Sequence, residues 1–85
     1  MSPSATEKLA RFLLDFRDGR TETDGCIYFN LESTHQDIAD MIGVSRETVC
    51  RLFAKFERRG LVERRDSRLL VVRKEGLRDL LRRSG

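Results

Sequence analysis

Residues 35–59, HQDIADMIGVSRETVCRLFAKFERR, constrain the fold of this chain more than any other stretch. Ile38, Ala39 and Ile42 stand at i, i+1 and i+4, which gives a first short helix one apolar face. Gly43 supplies a residue that tolerates positive φ, as a sharp helix-to-helix turn requires. Ser45 suits the N-cap of the next helix, because its hydroxyl can accept an orphan backbone N–H. Val49, Leu52, Phe53 and Phe56 then repeat at i, i+3, i+4 and i+7, so the second helix has one buried stripe. The pattern predicts a helix at 35–42, a tight turn, and a helix at 46–59: a helix-turn-helix.

The far side of the second helix suggests a use. At about 100° per residue, Arg46, Glu47, Cys50, Arg51 and Ala54 fall on one arc, roughly 150° from the centre of the apolar stripe. An arginine can fork two N–H donors onto guanine O6 and N7, and a glutamate can accept from cytosine N4. Small Cys50 and Ala54 leave room for close approach to the floor of a groove. A solvated Arg/Glu surface is the plainer reading of such an arc on an isolated helix.

SRETVCR, preceded by Q-D-I-A-x-x-I-G and followed by F-E-R-R-G-L-V, resembles the DNA-binding domain of the Crp/Fnr family of bacterial transcription regulators. The resemblance runs from about Glu32 to Val72. It implies an α+β, mainly α fold: a winged helix-turn-helix with a three-helix core and a small antiparallel β-hairpin wing. It implies a recognition helix in the major groove, with Arg46 and Arg51 reading guanine and Glu47 reading cytosine. Thr34 and Gln36 match family positions that touch phosphate.

The remaining chain fits one domain over residues 1–85. Ser4 and Glu7 form a capping box ahead of a helix at 5–18, with Leu9, Phe12, Leu13 and Phe16 at helical spacing and Gly19 as the stop. That helix is read as core-forming scaffold. Residues 20–25, RTETDG, are polar, end in Asp-Gly and read as a loop or turn. Cys26, Ile27, Phe29 and Leu31 alternate with Tyr28 and Asn30 in a half-buried strand at 26–31. Thr34 and Asp37 cap the helix at 35–42, and Gly60 ends the recognition helix. Leu61-Val62 and Leu69-Leu70-Val71-Val72 predict a hairpin wing over 61–72, with Leu70 and Val72 on one face and Leu69 and Val71 on the other. Its tip lacks the glycine that the family often carries there. Leu77, Leu80 and Leu81 mark a terminal helix at 75–83.

Charge supports a polyanionic partner. Residues 1–45 carry four basic and eight acidic side chains, whereas residues 46–74 carry ten basic and four acidic. The basic excess coincides with the recognition helix and the wing, where a phosphate backbone would draw it. Arg65 and Arg68 in the wing are expected along phosphates, as are Ser45, Thr48 and Lys55 around the arc and His35 at the helix start. A solvated, exposed His35 is the competing expectation.

Several function classes find no support. The single histidine has no second ligand set for a metal, and no nucleophile–base constellation or glycine-rich phosphate loop is evident. Cys26 and Cys50 are too few for an iron–sulfur cluster and lack C-x-x-C spacing. Buried or neutral thiols in a reducing compartment are the default, although oxidation of Cys50 on the groove-facing arc would obstruct DNA. Neither enzyme activity nor a cofactor is expected. No stretch is long and apolar enough to span a membrane and no signal pattern opens the chain, so a cytoplasmic location is expected.

The family typically adds an N-terminal sensor and a dimerisation helix, for which 85 residues have no room. The implied partners are double-stranded DNA, RNA polymerase, and a homodimeric mate in a full-length regulator, with a monomer as the expectation for the isolated domain. A winged helix used for protein interaction, without a DNA target, is the alternative of another class. Against it stands the lack of apolar or aromatic anchors on the arc, which protein interfaces favour.

Overall fold

Among the described residues every fully buried side chain is apolar, and these side chains come from all four helices and from three of the four strands. The computed structural model describes residues 3–15, 20–30, 35–65 and 69–84. In chain order they form α1 (Ala5–Asp15), β1 (Arg20–Thr23), β2 (Cys26–Asn30), α2 (His35–Ile42), α3 (Arg46–Arg58), β3 (Val62–Arg64), β4 (Leu69–Arg73) and α4 (Lys74–Ser84).

The helix pair follows the local chemistry of its sequence. Gly43 adopts φ 76°, the left-handed conformation in which a side chain would be strained. The Gly43 N–H and the Val44 N–H both donate to the Ala39 carbonyl, closing α2. Ser45 is extended (φ −77°, ψ 155°), and its Oγ accepts the Thr48 N–H at 3.1 Å. Helix α3 ends at Arg58 with Arg59 as C-cap, and Gly60 follows at φ 71°. Val49, Leu52, Phe53 and Phe56 are all buried, as their spacing predicts. Ile38 and Ala39 face them from α2, and Ile42 is partly buried.

Helix α1 opens with Ser4 Oγ accepting the Glu7 N–H at 3.2 Å, one half of the expected capping box. Its core residues are Leu9, Ala10 and Leu13, with Phe12 and Leu14 partly buried. Phe16 and Gly19, expected to finish this helix, lie outside the described residues, as do Leu31 and Thr34. The terminal helix spans 74–84, one residue longer at each end than the 75–83 expected. It adds Leu77 to the core, so a fourth helix completes what was expected as a three-helix core.

The sheet corrects the sequence reading at residues 20–25. Arg20–Thr23 form strand β1, and the expected turn is confined to Asp24-Gly25. Asp24 and Gly25 both have positive φ (52° and 78°), the signature of a two-residue hairpin turn whose twist matches its strands. All strands are antiparallel, in the order β1-β2-β4-β3. The expected wing hairpin is therefore one edge of a four-stranded sheet. β1 forms the other edge with the polar run Arg20–Thr23, and pairing with β2 supplies its strand character.

Cross-strand register sorts the sheet's two faces. Phe29 stands opposite Leu70, and Ile27 opposite Val72, which also faces Val62. All five join the core. Tyr28, Val71 and Glu63 form the row on the other face. Val71 is nevertheless buried, although it stands outside the core cluster. Alternation is thus preserved, but covering by neighbours on the outer row hides it in exposure alone.

Candidate nucleic-acid interface

The polar side of α3 is organised by the burial of its other side. With Val49, Leu52, Phe53 and Phe56 turned into the core, Arg46, Glu47, Arg51 and Ala54 are exposed. Among the described residues, the Arg46 and Arg51 guanidinium groups make no hydrogen bond or ion pair within the protein. The arc expected from helical geometry is thus present and uncommitted. Cys50 departs from it by being only half exposed.

Its cover is His35. The His35 Nδ1 lies 3.0 Å from the Cys50 Sγ, and its ring stacks on Phe53 with centroids 5.0 Å apart and planes at 6°. From the wing strand β3, the Arg64 Nη2 reaches the His35 Nε2 at 3.2 Å. His35 is therefore half-buried and not free: both ring nitrogens are engaged within the protein. Burial, then the nearby Arg64 and Arg46 charges, hold its pKa below the ordinary imidazole value, against a smaller opposing effect from Glu57.

This junction ties the start of α2, the middle of α3 and the wing at one point. Sequence reasoning missed it. His35 and Cys50 are 15 positions apart and His35 and Arg64 are 29 apart, so the contacts depend on how the elements dock. The one local hint is that Cys50 and Phe53 share a helix face at i, i+3.

The flanking residues form a rim around the arc. Ser45 and Thr48 stand at the start of α3, with hydroxyls 2.8 Å apart. On α2 the exposed Gln36 donates from Nε2 to the Asp40 Oδ1 at 2.9 Å. Lys55 is half exposed near the end of α3. Arg65 projects from the wing, its Nε 3.8 Å from a Glu63 carboxylate oxygen and its guanidinium 6.0 Å from the Tyr28 ring centroid. Thr34 and Arg68 lie outside the described residues. Among the described residues, no group of three or more His, Cys, Asp or Glu side chains could hold a metal ion, and no helix is long and apolar enough to cross a membrane.

Comparison with known proteins gives this surface a lineage. Residues 7–80 match the model of the Crp-like helix-turn-helix domain. The chain is 36% identical over 77 residues to the nitrogen fixation regulation protein FixK of Rhizobium meliloti, covering 89% of this chain and 35% of that protein. It is 38% identical over 78 residues to the transcriptional activatory protein AadR of Rhodopseudomonas palustris, covering 91% of this chain and 29% of that protein. Among solved structures, FixK2 from Bradyrhizobium japonicum superposes with a TM-score of 0.75 at 31% identity, covering 91% of this chain and 38% of that one. The CO-dependent transcription factor CooA from Carboxydothermus hydrogenoformans gives a TM-score of 0.74 at 30% identity, covering 96% of this chain and 37% of that one. The chain thus spans about a third of the length of the relatives it matches. It belongs to the Crp/Fnr family of transcription regulators and constitutes their DNA-binding, Crp-like helix-turn-helix domain.

Proposed function

We propose that this domain binds a palindromic duplex sequence-specifically, with α3 in the major groove of each half-site. Arg46 and Arg51 fork onto guanine, Glu47 accepts from cytosine, and exposed Ala54 allows close approach. Thr34, Gln36, Ser45, Thr48, Lys55, Arg65 and Arg68 contact phosphates and fix the register. His35 contributes to that backbone contact from the start of α2, through the junction that orients α2 against α3 and the wing. The observation that carries this reading is the exposed, unpaired Arg46/Glu47/Arg51 arc opposite a fully buried stripe on one helix.

In a longer regulator, two such domains on a homodimer would read half-sites about one helical turn apart. Family resemblance points to a half-site of the TGTGA type, and to RNA polymerase as a partner of the bound regulator. Location in the cytoplasm, where the genome and polymerase of a bacterium reside, follows from the same reading.

Fluorescence anisotropy on a labelled TGTGA-type palindrome, beside a scrambled duplex and a salt titration, tests it. Arg46→Ala should weaken binding to the palindrome by about 1–3 kcal/mol and relax one base position. Arg65→Ala should weaken both duplexes alike and flatten the salt slope by about one phosphate's worth, close to 0.9. Equal losses on both duplexes for both variants would refute the division between base and phosphate contacts. Failure to bind either duplex at low salt would favour a protein-interaction role.

A further inference from the structure

We propose that His35 and Arg64 form a proton-coupled phosphate site, at which a backbone phosphate of the duplex replaces their mutual hydrogen bond and the imidazole gains a proton from solvent. Arg64 thereby becomes a further phosphate contact of the wing strand. The inference rests on the reading of α3 as the groove-entering helix.

Placement is the first support. Side chains alternate along a strand, so Val62 and Arg64 of β3 share one face of the sheet and Glu63 takes the other. Register sets Arg64 opposite Leu70, which stands opposite Phe29, and both of these belong to the core row. Arg64 therefore leaves the wing on the side of the helices, whereas Arg65 leaves it on the side of Tyr28. The Arg64 Nη2 reaches the His35 Nε2 at 3.2 Å, yet the Arg64 side chain stays exposed. The start of α2, the wing strand and Arg46 of α3 thus border one solvent-facing pair.

Hydrogen-bond direction is the second. A guanidinium has only donors, so the His35 Nε2 must accept from Arg64. The imidazole is then neutral, with its one N–H on Nδ1 and facing the Cys50 Sγ at 3.0 Å. Protonation leaves Nδ1 as it is and turns Nε2 into a second donor. Two donors then oppose each other, a conflict that an acceptor placed between them relieves. A phosphate oxygen is such an acceptor, with charge-assisted bonds to both groups. The neutral pair holds Arg64 in the free chain, and the protonated pair presents two cationic donors to one anion.

Charge favours the exchange. The groups acting on His35 are Arg64 from β3 and Arg46 and Glu57 from α3, with the Cys50 thiol of α3 at Nδ1. In the free chain, burial and the two arginines keep the imidazole below its ordinary pKa, and Glu57 offsets them only in part. A phosphate beside the ring opposes both arginines and stabilises the imidazolium. The bound chain then carries the proton in a pH window where the free chain does not. Affinity rises as pH falls through the bound value, and levels off below the free value.

His35 is the only histidine in the chain, so NMR of an isotope-labelled chain follows its titration without overlap from other imidazoles. The midpoint in the complex with the palindrome should lie at least about one pH unit above that of the free chain. Anisotropy should accordingly show affinity about tenfold higher near pH 5.5 than near pH 8. His35→Gln can still accept from Arg64 but has no proton to gain, and should keep only the pH dependence common to other groups. Arg64→Met should bind the palindrome and the scrambled duplex more weakly than the parent chain, with the larger loss near pH 5.5. Equal midpoints in the free and bound chain overturn the proposal. So does a His35→Gln profile that matches the parent's, or an Arg64→Met chain that binds as tightly as the parent at both pH values. Binding without proton uptake leaves the DNA reading standing. Failure to bind either duplex at low salt, at either pH, overturns that reading and the proposal with it.

Discussion

The core and the α2–α3–wing junction hold neighbouring parts of this domain together by different chemistry. Among the described residues the core has no buried polar or charged side chain and no buried unpaired side-chain polar atom. The junction is built from an imidazole stacked on the Phe53 ring, with a thiol at one of its nitrogens and a guanidinium at the other. Apolar packing is indifferent to pH and oxidants, and its energy follows the area removed from water. The strength of a polar junction depends on the protonation state of its imidazole. The core therefore holds the domain together, and the junction links the start of α2, the middle of α3 and the wing strand at one point. Phe53 belongs to both.

The largest break falls on the core. Phe56 is fully buried at the centre of the α3 stripe. Phe56→Ala removes a ring and leaves a cavity, at a cost of about 3–5 kcal/mol. Because small domains are stable by about 5–15 kcal/mol, urea unfolding should show a large drop in midpoint, or a chain already partly unfolded in water. A loss below 1 kcal/mol would mean that the α3 stripe does not anchor the fold.

A smaller effect separates helix integrity from core packing. Ser45→Ala deletes the Oγ that accepts the Thr48 N–H and leaves the buried stripe untouched. The expected loss is about 1 kcal/mol by urea unfolding. Ser45→Asp, which retains an acceptor at the N-cap and complements the helix dipole, should recover most of that stability. It should also weaken DNA binding, by adding negative charge beside the phosphates. Stability and affinity moving together in Ser45→Asp would contradict the assignment of Ser45 to the DNA-facing rim.

How much of this was legible in the sequence follows the same division. The α3 stripe, the Gly43 turn and the Ser45 cap are written in neighbouring residues, so spacing and local chemistry suffice to read them. The Arg46/Glu47/Arg51 arc is legible for the same reason, since a regular helix fixes which residues share a face. Strand β1 was not, because Arg20–Thr23 contains no apolar residue and becomes a strand only through its backbone pairing with β2. The Asp24-Gly25 pair carried the hairpin signal, but without a hydrophobic alternation before it the segment reads as a loop. The His35 contacts were illegible for a stronger reason. They join three elements whose docking the local pattern does not encode, and they turn a residue expected at the phosphates toward the protein.

The last prediction isolates the junction by pH, where the core is silent. His35 has its pKa lowered in the folded chain, first by burial and then by Arg64 on β3 and Arg46 on α3, with Glu57 on α3 acting in the opposite sense. In the unfolded chain it titrates near the ordinary imidazole value of about 6.5. Between the two values the unfolded state binds the proton and the folded state does not, so stability rises with pH across that window. The contribution is fully present above about pH 6.5 and is lost as pH falls through the folded value. Protonation also makes Nε2 a donor facing the donors of Arg64, which breaks the bond to the wing. Urea midpoints of the parent chain and of His35→Gln, compared between pH 7.5 and pH 5, separate this effect from carboxylate titration common to both. The difference between them should be flat at the upper end and narrow toward the lower end, because glutamine has no proton to gain. A difference that does not change with pH would show that the imidazole is held in place by packing on Phe53 alone, and the junction would then be chemically as inert as the core.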